Sequence, residues 1–461
     1  MDKLRVAINA QLLPDGPSGG IVTALRALAA LTELDGAEEY IFIGPHEEPE
    51  WMRPMLPREQ RIVRGPEFMS PAGWKLDQLE PLKQKLGPLR PMLREVKRFI
   101  APQTRAAVAE MPLEPALAPG NVKLMAHATS RSFFESLNCD VIHFPFQSFE
   151  SCNVPSVYNP HDLQHLHLPE FFTPAEIARR HNLYPTACRA AQTVVVASEF
   201  VKRDVVAGYG IEPKKVQVIP WAPPPLPKPS EESDAAFIQN LKNRFQLGDE
   251  PFALYPAMTW EHKNHLRLLE AVAYLRDSED LDLRVICTGF KTDFWPTIEK
   301  KLNELGLKQT VMFPGLLSLD ELHALYRSAQ FVFIPTLFEA ASAPVFEAWQ
   351  HGRPVACSTV TSLPEQVGDA ALLFDSYSET AIASALARMA TDFALREDLK
   401  RRGTRRLEDF SLERTAKSYR AVYRRAAGRE LNAEDRCLLY GNSLETSGKD
   451  FQGSKFPGSN G

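Results

Sequence analysis

Apolar residues in this chain fall into short unbroken runs. Between them lie stretches where apolar positions recur every three or four residues. The unbroken runs of the first half are LRVAIN (4–9), YIFIG (40–44), CDVIHFP (139–145), SVYNP (156–160), TVVVAS (193–198) and VQVIP (216–220). Those of the second half are FALYPA (252–257), RVICTG (284–289), VMFPG (311–315), FVFIP (331–335), PVACS (354–358) and ALLFD (371–375). A strand with one wet face alternates apolar and polar residues. A run apolar on successive positions predicts a strand covered on both faces, as in a parallel sheet. IVTALRALAAL (21–31) and HLRLLEAVAYL (265–275) carry the helical period instead. The two series of strands are separated by PWAPPPLPKPSEESDAAF (220–237), whose prolines make a stiff connector without a hydrogen-bonding ladder. The pattern predicts an α/β chain of two parallel-sheet domains with a ligand cleft between them.

The domains expected are 1–220, a linker over 221–237, and 238–410. A helix at 411–430 is expected to return to the first domain, and a tail at 431–461 is expected to be disordered at its end. Residues 50–138 stand apart as a proline-rich insertion without clear strands. Within it, segment 83–105 sets Lys83, Lys85, Arg90, Arg94, Lys97, Arg98 and Arg105 against Glu95, with apolar residues interleaved. It reads either as a solvated helix on the first domain or as a basic patch for a membrane surface or an anionic acceptor.

With 461 residues and a formal net charge of −5, the chain suits two or three domains and gives no reason to expect nucleic acid. No apolar run is long enough to span a bilayer, and the N-terminus lacks the pattern of a signal peptide. The six cysteines are scattered without a C-x-x-C pair and read as buried free thiols in a reducing compartment. The expected location is cytoplasmic, with peripheral contact at the inner face of the cell membrane as the alternative that 83–105 raises. His161, His165 and His167 form an H-x3-H-x-H array whose spacing suits zinc poorly, so no metal site is expected.

LFEAASAPVFEAW (337–349) holds the most informative chemistry. FVFIP ends in a proline, so a strand stops there. Ser342 is placed to cap a helix opening near Ala343, Pro344 suits its first turn, and His351-Gly352 suits its end. Glu339 then lies on the strand-to-helix loop and Glu347 one turn into the helix. Unpaired amides near 341–344 would favour a phosphate, and a neighbouring carboxylate would accept hydrogen bonds from sugar hydroxyls. Two solvated glutamates flanking an ordinary helix are the plainer alternative.

PTLFEAASAPVFEAWQHGRPVACSTVTSLPEQVGDAALLFD (335–375) resembles the C-terminal signature of the retaining nucleotide-sugar glycosyltransferases of family 4. Those proteins have the GT-B fold, two Rossmann-like domains facing a central cleft. The resemblance implies that Glu339 meets the donor sugar, that Glu347 holds the nucleotide ribose, and that Ala341, Ser342 and Ala343 offer loop amides to the sugar and diphosphate. Where the family has glycines after the first glutamate, this chain has Ala340-Ala341-Ser342. Lys263 and Asn264 match the family's lysine loop under the diphosphate, whereas Ala257 and Met258 stand where many relatives carry an arginine. Trp260, His262 and Arg267 are candidates to compensate. Gly289, Phe313 and Gly315 match the loops beside the nucleobase and diphosphate; ordinary strand-end turns are the alternative for each. Gly19 and Gly20, after the first strand, match a loop touching the diphosphate. His161 matches a histidine facing the donor sugar, with Asp162 as its orienter and His165 and His167 structural. Tyr326 reads as core.

The resemblance implies transfer of a hexosyl group from a nucleoside diphosphate sugar, of GDP-mannose or UDP-hexose type, to a hydroxyl of a saccharide or lipid-linked acceptor. It implies retained configuration and no cofactor or metal, in polysaccharide or glycoconjugate assembly. His161, Lys263 and Glu339 are the expected catalytic residues. Two alternatives remain on the same fold: a nucleotide-sugar epimerase, and a non-catalytic nucleotide-sugar-binding subunit.

Overall fold

A computed structural model describes residues 3–11, 24–25, 27–36, 38–44, 61–64, 133–224, 226, 238–239, 241, 243–245 and 250–441. Seven strands form the first sheet: β1 (Leu4–Asn9), β2 (Glu38–Gly44), β3 (Arg61–Arg64), β4 (Val141–Phe144), β5 (Ser156–Tyr158), β6 (Thr193–Val196) and β7 (Val216–Val218). Six form the second: β8 (Phe252–Pro256), β9 (Arg284–Thr288), β10 (Val311–Gly315), β11 (Phe331–Ile334), β12 (Val355–Ser358) and β13 (Leu372–Phe374). The spatial orders are β3-β2-β1-β4-β5-β6-β7 and β10-β9-β8-β11-β12-β13, with every neighbouring pair parallel. The order reverses between β1 and β4 in one sheet and between β8 and β11 in the other. At such a reversal the crossovers leave in opposite directions and a crevice opens beyond the strand ends, where ligands of this architecture bind.

The central strands are apolar on both faces because both faces are covered. Val6, Ala7 and Ile8 of β1 and Phe331, Val332 and Phe333 of β11 are all 0% exposed. β3 corrects the expectation that 50–138 holds no strand: it extends the first sheet by pairing with β2 at its edge. Gly19, Gly20 and the basic segment 83–105 lie outside the described residues.

The helix Leu412–Ala426 packs on the first sheet, where Ala416, Tyr419, Val422 and Tyr423 join the core with Val6, Ile8, Tyr40 and Phe42. A buried polar relay fastens it there. His143 Nε2 meets Asn159 Oδ1 at 2.8 Å, and the Asn159 amide donates to Tyr419 Oη at 2.9 Å. The amide oxygen only accepts, so Nε2 carries the proton. Nδ1 therefore accepts from the Tyr423 hydroxyl at 2.8 Å. Thr415 Oγ1 also donates to the Pro220 carbonyl, tying this helix to the start of the linker.

The tail begins with a helix, Ala433–Tyr440, opened by a capping box of Asn432 and Asp435, and its end lies outside the described residues. One further expectation changes. Cys188, Cys287 and Cys357 are buried, but Cys139 and Cys152 are only half-buried and Cys437 is exposed; all six thiols are free.

Candidate active site

β8 and β11 lie side by side at the reversal of the second sheet, and the loops leaving their carboxyl ends carry Lys263 and Glu339. Lys263 Nζ donates to Glu339 Oε1 at 2.6 Å, with the two side chains 19% and 12% exposed. The sequence places these residues 76 positions apart; the sheet makes them neighbours.

Each partner is held from below. The Tyr255 hydroxyl donates to the Lys263 carbonyl at 2.7 Å. Asn264 adopts a left-handed φ of +62° and is buried, and its amide donates to the Pro335 and Ser376 carbonyls, both at 2.9 Å. Arg267 donates to Asn264 Oδ1. The side chains of Asn264 and Arg267 are thus committed to fixing the lysine loop. Burial keeps His262 well below the usual histidine pKa, reinforced by the Lys263 charge, so it adds no cation.

The Glu339 backbone is gripped by the segment after β12. The Glu339 N–H donates to Thr361 Oγ1 at 3.0 Å, and Thr361 Oγ1 and Ser362 Oγ donate to the Glu339 carbonyl at 2.6 and 2.7 Å. Thr361 itself holds a φ of +51°.

The helix Ala343–Gln350 opens as the sequence implies, with Pro344 in its first turn, but the Ser342 side chain does not cap it. Gln366 instead holds the Ser342 backbone: its Oε1 accepts from the Ser342 N–H at 2.9 Å and its Nε2 donates to the Ser342 carbonyl at 2.8 Å. Among the described residues, the N–H groups of Ala341 and Ala343 have no partner. Two open amides therefore flank a fixed one at a helix start, an arrangement suited to phosphate oxygens. Further along the helix, the buried Tyr326 hydroxyl donates to Glu347 Oε2 at 2.5 Å. Burial, then the Glu347 charge, raises the Tyr326 pKa, so the phenol stays protonated and donating.

The loops after β8, β9 and β10 are joined by backbone bonds. Ala257 N–H donates to the Thr288 carbonyl, Thr259 N–H to Phe290, and Gly289 N–H to Gly315. Gly289 has a φ of +131°, and a Cβ there would lie 2.7 Å from the Ala257 carbonyl carbon. Gly315 takes a φ of +84°. Ala257 and Met258, where relatives carry an arginine, thus present backbone to Gly289. Phe313 packs inward against His265 and Trp295.

In the first domain His161 follows β5 with a φ of +63°. Its Nε2 lies 2.6 Å from the Pro145 carbonyl, at the end of the reversal strand β4. A carbonyl only accepts, so Nε2 is protonated and Nδ1 is a free acceptor in the neutral ring. Burial beside Phe146 and Trp221 lowers its pKa, opposed by the Pro145 carbonyl and by Asp162. Asp162 is not the expected orienter: its Oδ1 accepts from the Gln164 N–H and from Arg180. His165 is buried beside Tyr184, and His167 pairs with Asp204 at 2.6 Å.

Sequence reasoning missed the roles of Thr361, Ser362, Gln366 and the Tyr326 hydroxyl. The first three lie in TSLPEQ, where the match to the family signature was a signal that something was held there. Tyr326 carried no signal beyond its buried helical position. No cluster of metal-ligating side chains occurs among the described residues.

Residues 237–406 match the family profile "Glycosyl transferases group 1", and residues 98–222 match "Glycosyltransferase Family 4". The chain belongs to glycosyltransferase family 4. Its fold is GT-B. It is 25% identical over 259 residues to the O-antigen chain mannosyltransferase B of Escherichia coli, covering 55% of this chain and 66% of that protein. It is 29% identical over 246 residues to an MMP α-(1→4)-mannosyltransferase of Mycolicibacterium hassiacum, covering 52% and 56%. The matched part thus spans less than two thirds of these relatives. HepE of Anabaena, solved in complex with UDP-glucose, superposes with a TM-score of 0.60 at 16% identity, covering 91% of this chain and 99% of that one.

Proposed function

We propose that this protein transfers a hexosyl group from a nucleoside diphosphate sugar, of GDP-mannose or UDP-hexose type, to a hydroxyl of a saccharide or glycolipid acceptor, with retained configuration, in glycoconjugate biosynthesis. One observation carries the reading: Lys263 and Glu339 meet at 2.6 Å where the second sheet reverses, beside a helix start with open amides. The mannosyltransferase relatives favour a mannosyl donor.

The difficult step is departure of the diphosphate while positive charge builds at the anomeric carbon. An ammonium has three donors and Glu339 engages one, which leaves Lys263 able to reach a phosphate oxygen without giving up the carboxylate. Lys263 and the amides of Ala341 and Ala343 then stabilise charge growing on the leaving group. Glu339 accepts from sugar hydroxyls and Glu347 from the ribose. His161, neutral and with Nδ1 as acceptor, accepts a hydrogen bond from a sugar hydroxyl from the first-domain side. No side chain is assigned as a covalent nucleophile. The acceptor proton passes to the leaving phosphate on the same face, and no step needs a metal.

Glu339→Gln and Lys263→Ala should each lower turnover by ~10²-fold or more, the scale for losing a group that stabilises transition-state charge. Donors are first ranked by the rise in melting temperature with GDP-, UDP- and ADP-sugars, since a bound donor stabilises the native state by mass action. Near wild-type turnover in both variants sinks the assignment. Tight donor binding without transfer to any acceptor would favour a non-catalytic binding subunit.

A further inference from the structure

The segment that grips the donor loop also touches the other domain. Thr361 and Ser362 hold the Glu339 backbone, and Gln366 holds Ser342 on both sides. Glu365, between them, points the opposite way. Its Oε1 accepts from the Glu199 N–H at 2.7 Å and its Oε2 from the Phe200 N–H at 3.2 Å. These are the first two amides of the first-domain helix Glu199–Tyr209. The third, Val201 N–H, goes to Ser198 Oγ within its own domain. The opening turn of that helix is therefore completed by a carboxylate of the other domain, the charge that its unpaired N–H groups favour.

Apolar contacts cross beside it. Leu337 and Phe338, just before Glu339, cluster with Leu168, Phe171 and Phe200 of the first domain. Ala340, which stands where the family has a glycine, packs against the core under the first sheet. From behind, Arg406 donates to the carbonyls of Glu365 and Gln366 and fixes the segment to its own domain. Glu365 and Glu199 are both exposed, so water can replace the contact when the domains part.

We propose that Glu365 is a positioning residue: its carboxylate on the Glu199 and Phe200 amides latches the two domains together, and Thr361–Gln366 carries that closure directly to the donor loop Glu339–Ser342. The latch rests on the reading of 339–342 as donor loop only for its catalytic meaning. The contact itself is testable without any reaction.

The test is small-angle X-ray scattering of the full chain, with and without saturating GDP or UDP, on wild type, Glu365→Ala, Glu199→Pro and the double variant. Proline is favoured at the first helical position and deletes the N–H that Oε1 accepts. Ser198 before it is extended, at φ −152° and ψ 159°, as a residue preceding proline requires. The helix can therefore fold without the latch, and this variant still decides the matter if Glu365→Ala does not fold. In matched conditions each single variant should have a larger radius of gyration than wild type, and the double variant should equal Glu365→Ala, because Glu199→Pro deletes one of the two bonds that Glu365→Ala removes. Scattering indistinguishable from wild type, or expansions that add in the double variant, overturns the latch. Failure of the transferase reading would appear instead as absent turnover with wild-type compaction intact.

Discussion

Tyr326 illustrates how a residue can be core by its ring and reach the candidate site by one atom. The ring is fully buried, while the hydroxyl meets the Glu347 carboxylate at 2.5 Å. Tyr326→Phe keeps the packing and removes that donor. A hydrogen bond to a charged group contributes ~1.5–3 kcal/mol, so GDP or UDP affinity should fall by roughly tenfold or more if the bond sets the Glu347 rotamer for a ribose. Calorimetric titration reads this, and unchanged affinity would remove Tyr326 from the site. A second residue-scale effect concerns acid. Burial lowers the pKa of His143 and of His265 from 6.5 to about 3. Between those values the unfolded chain holds protons that the native state refuses, so stability is present above pH ~6.5 and lost as pH falls, by up to ~1.4 kcal/mol per pH unit for each group. His265 has no hydrogen-bond partner on either ring nitrogen and lies against Tyr255 and Phe313. His265→Phe should therefore flatten the fall in melting temperature from pH 7 to 5, and an unchanged slope would contradict this. Lys263, Glu339 and His161 stand out as candidates in the sequence because their residue types and surroundings carry a family pattern. The atoms they touch were not legible, since 76 residues separate the lysine from its glutamate and a carbonyl at Pro145 sets the histidine tautomer.

At the scale of elements, the strands were legible because burial on both faces leaves an unbroken apolar run. β3 escaped for the opposite reason: RIVR, at 61–64, has two apolar residues between arginines and pairs on one side only. Ser342 was a reasonable cap by type and position. The side chain that satisfies its backbone comes from Gln366, and no local rule anticipates a partner 24 residues on. Loop packing is equally non-local. Gly289 lets the loop after β9 touch the backbone of Ala257 and Met258, which lead toward Lys263. Gly289→Ala would set a methyl 2.7–2.8 Å from three backbone atoms at a φ of +131°. Backbone cannot rotate away as a flexible side chain does, so the loop must shift. The expected result is a loss of at least ~1–3 kcal/mol in chemical denaturation, the scale of local backbone strain, together with weaker nucleotide binding. A variant as stable and as tight as wild type would mean that the two loops do not move as a unit.

At the scale of the whole molecule the chain crosses between domains twice, and the second crossing completes the first domain. The helix Leu412–Ala426 comes after all six strands of the second sheet, yet it covers the first. Its Tyr419 and Tyr423 close the relay through His143 and Asn159, and Asn159 is two residues from His161. The same helix holds the Pro220 carbonyl through Thr415, and the next residue, Trp221, lies against the His161 ring. A chain ending at Phe410 would thus uncover Tyr40 and the inner face of β1, strand His143 Nδ1 without its donor, and loosen both supports of His161. An unpaired buried polar group alone costs ~1–3 kcal/mol, and fully exposing a large apolar side chain costs ~1.5–3 kcal/mol each. Set against a total stability of ~5–15 kcal/mol, the loss of several such residues should unfold the first domain while the second, whose core lies in its own strands and helices, keeps its cooperative transition. Differential scanning calorimetry of the truncated chain should show one transition, with nucleotide still raising its temperature. If the truncated chain retained the unfolding enthalpy and the His161-side structure of the full protein, the final helix would be an appendage rather than part of the first domain's core.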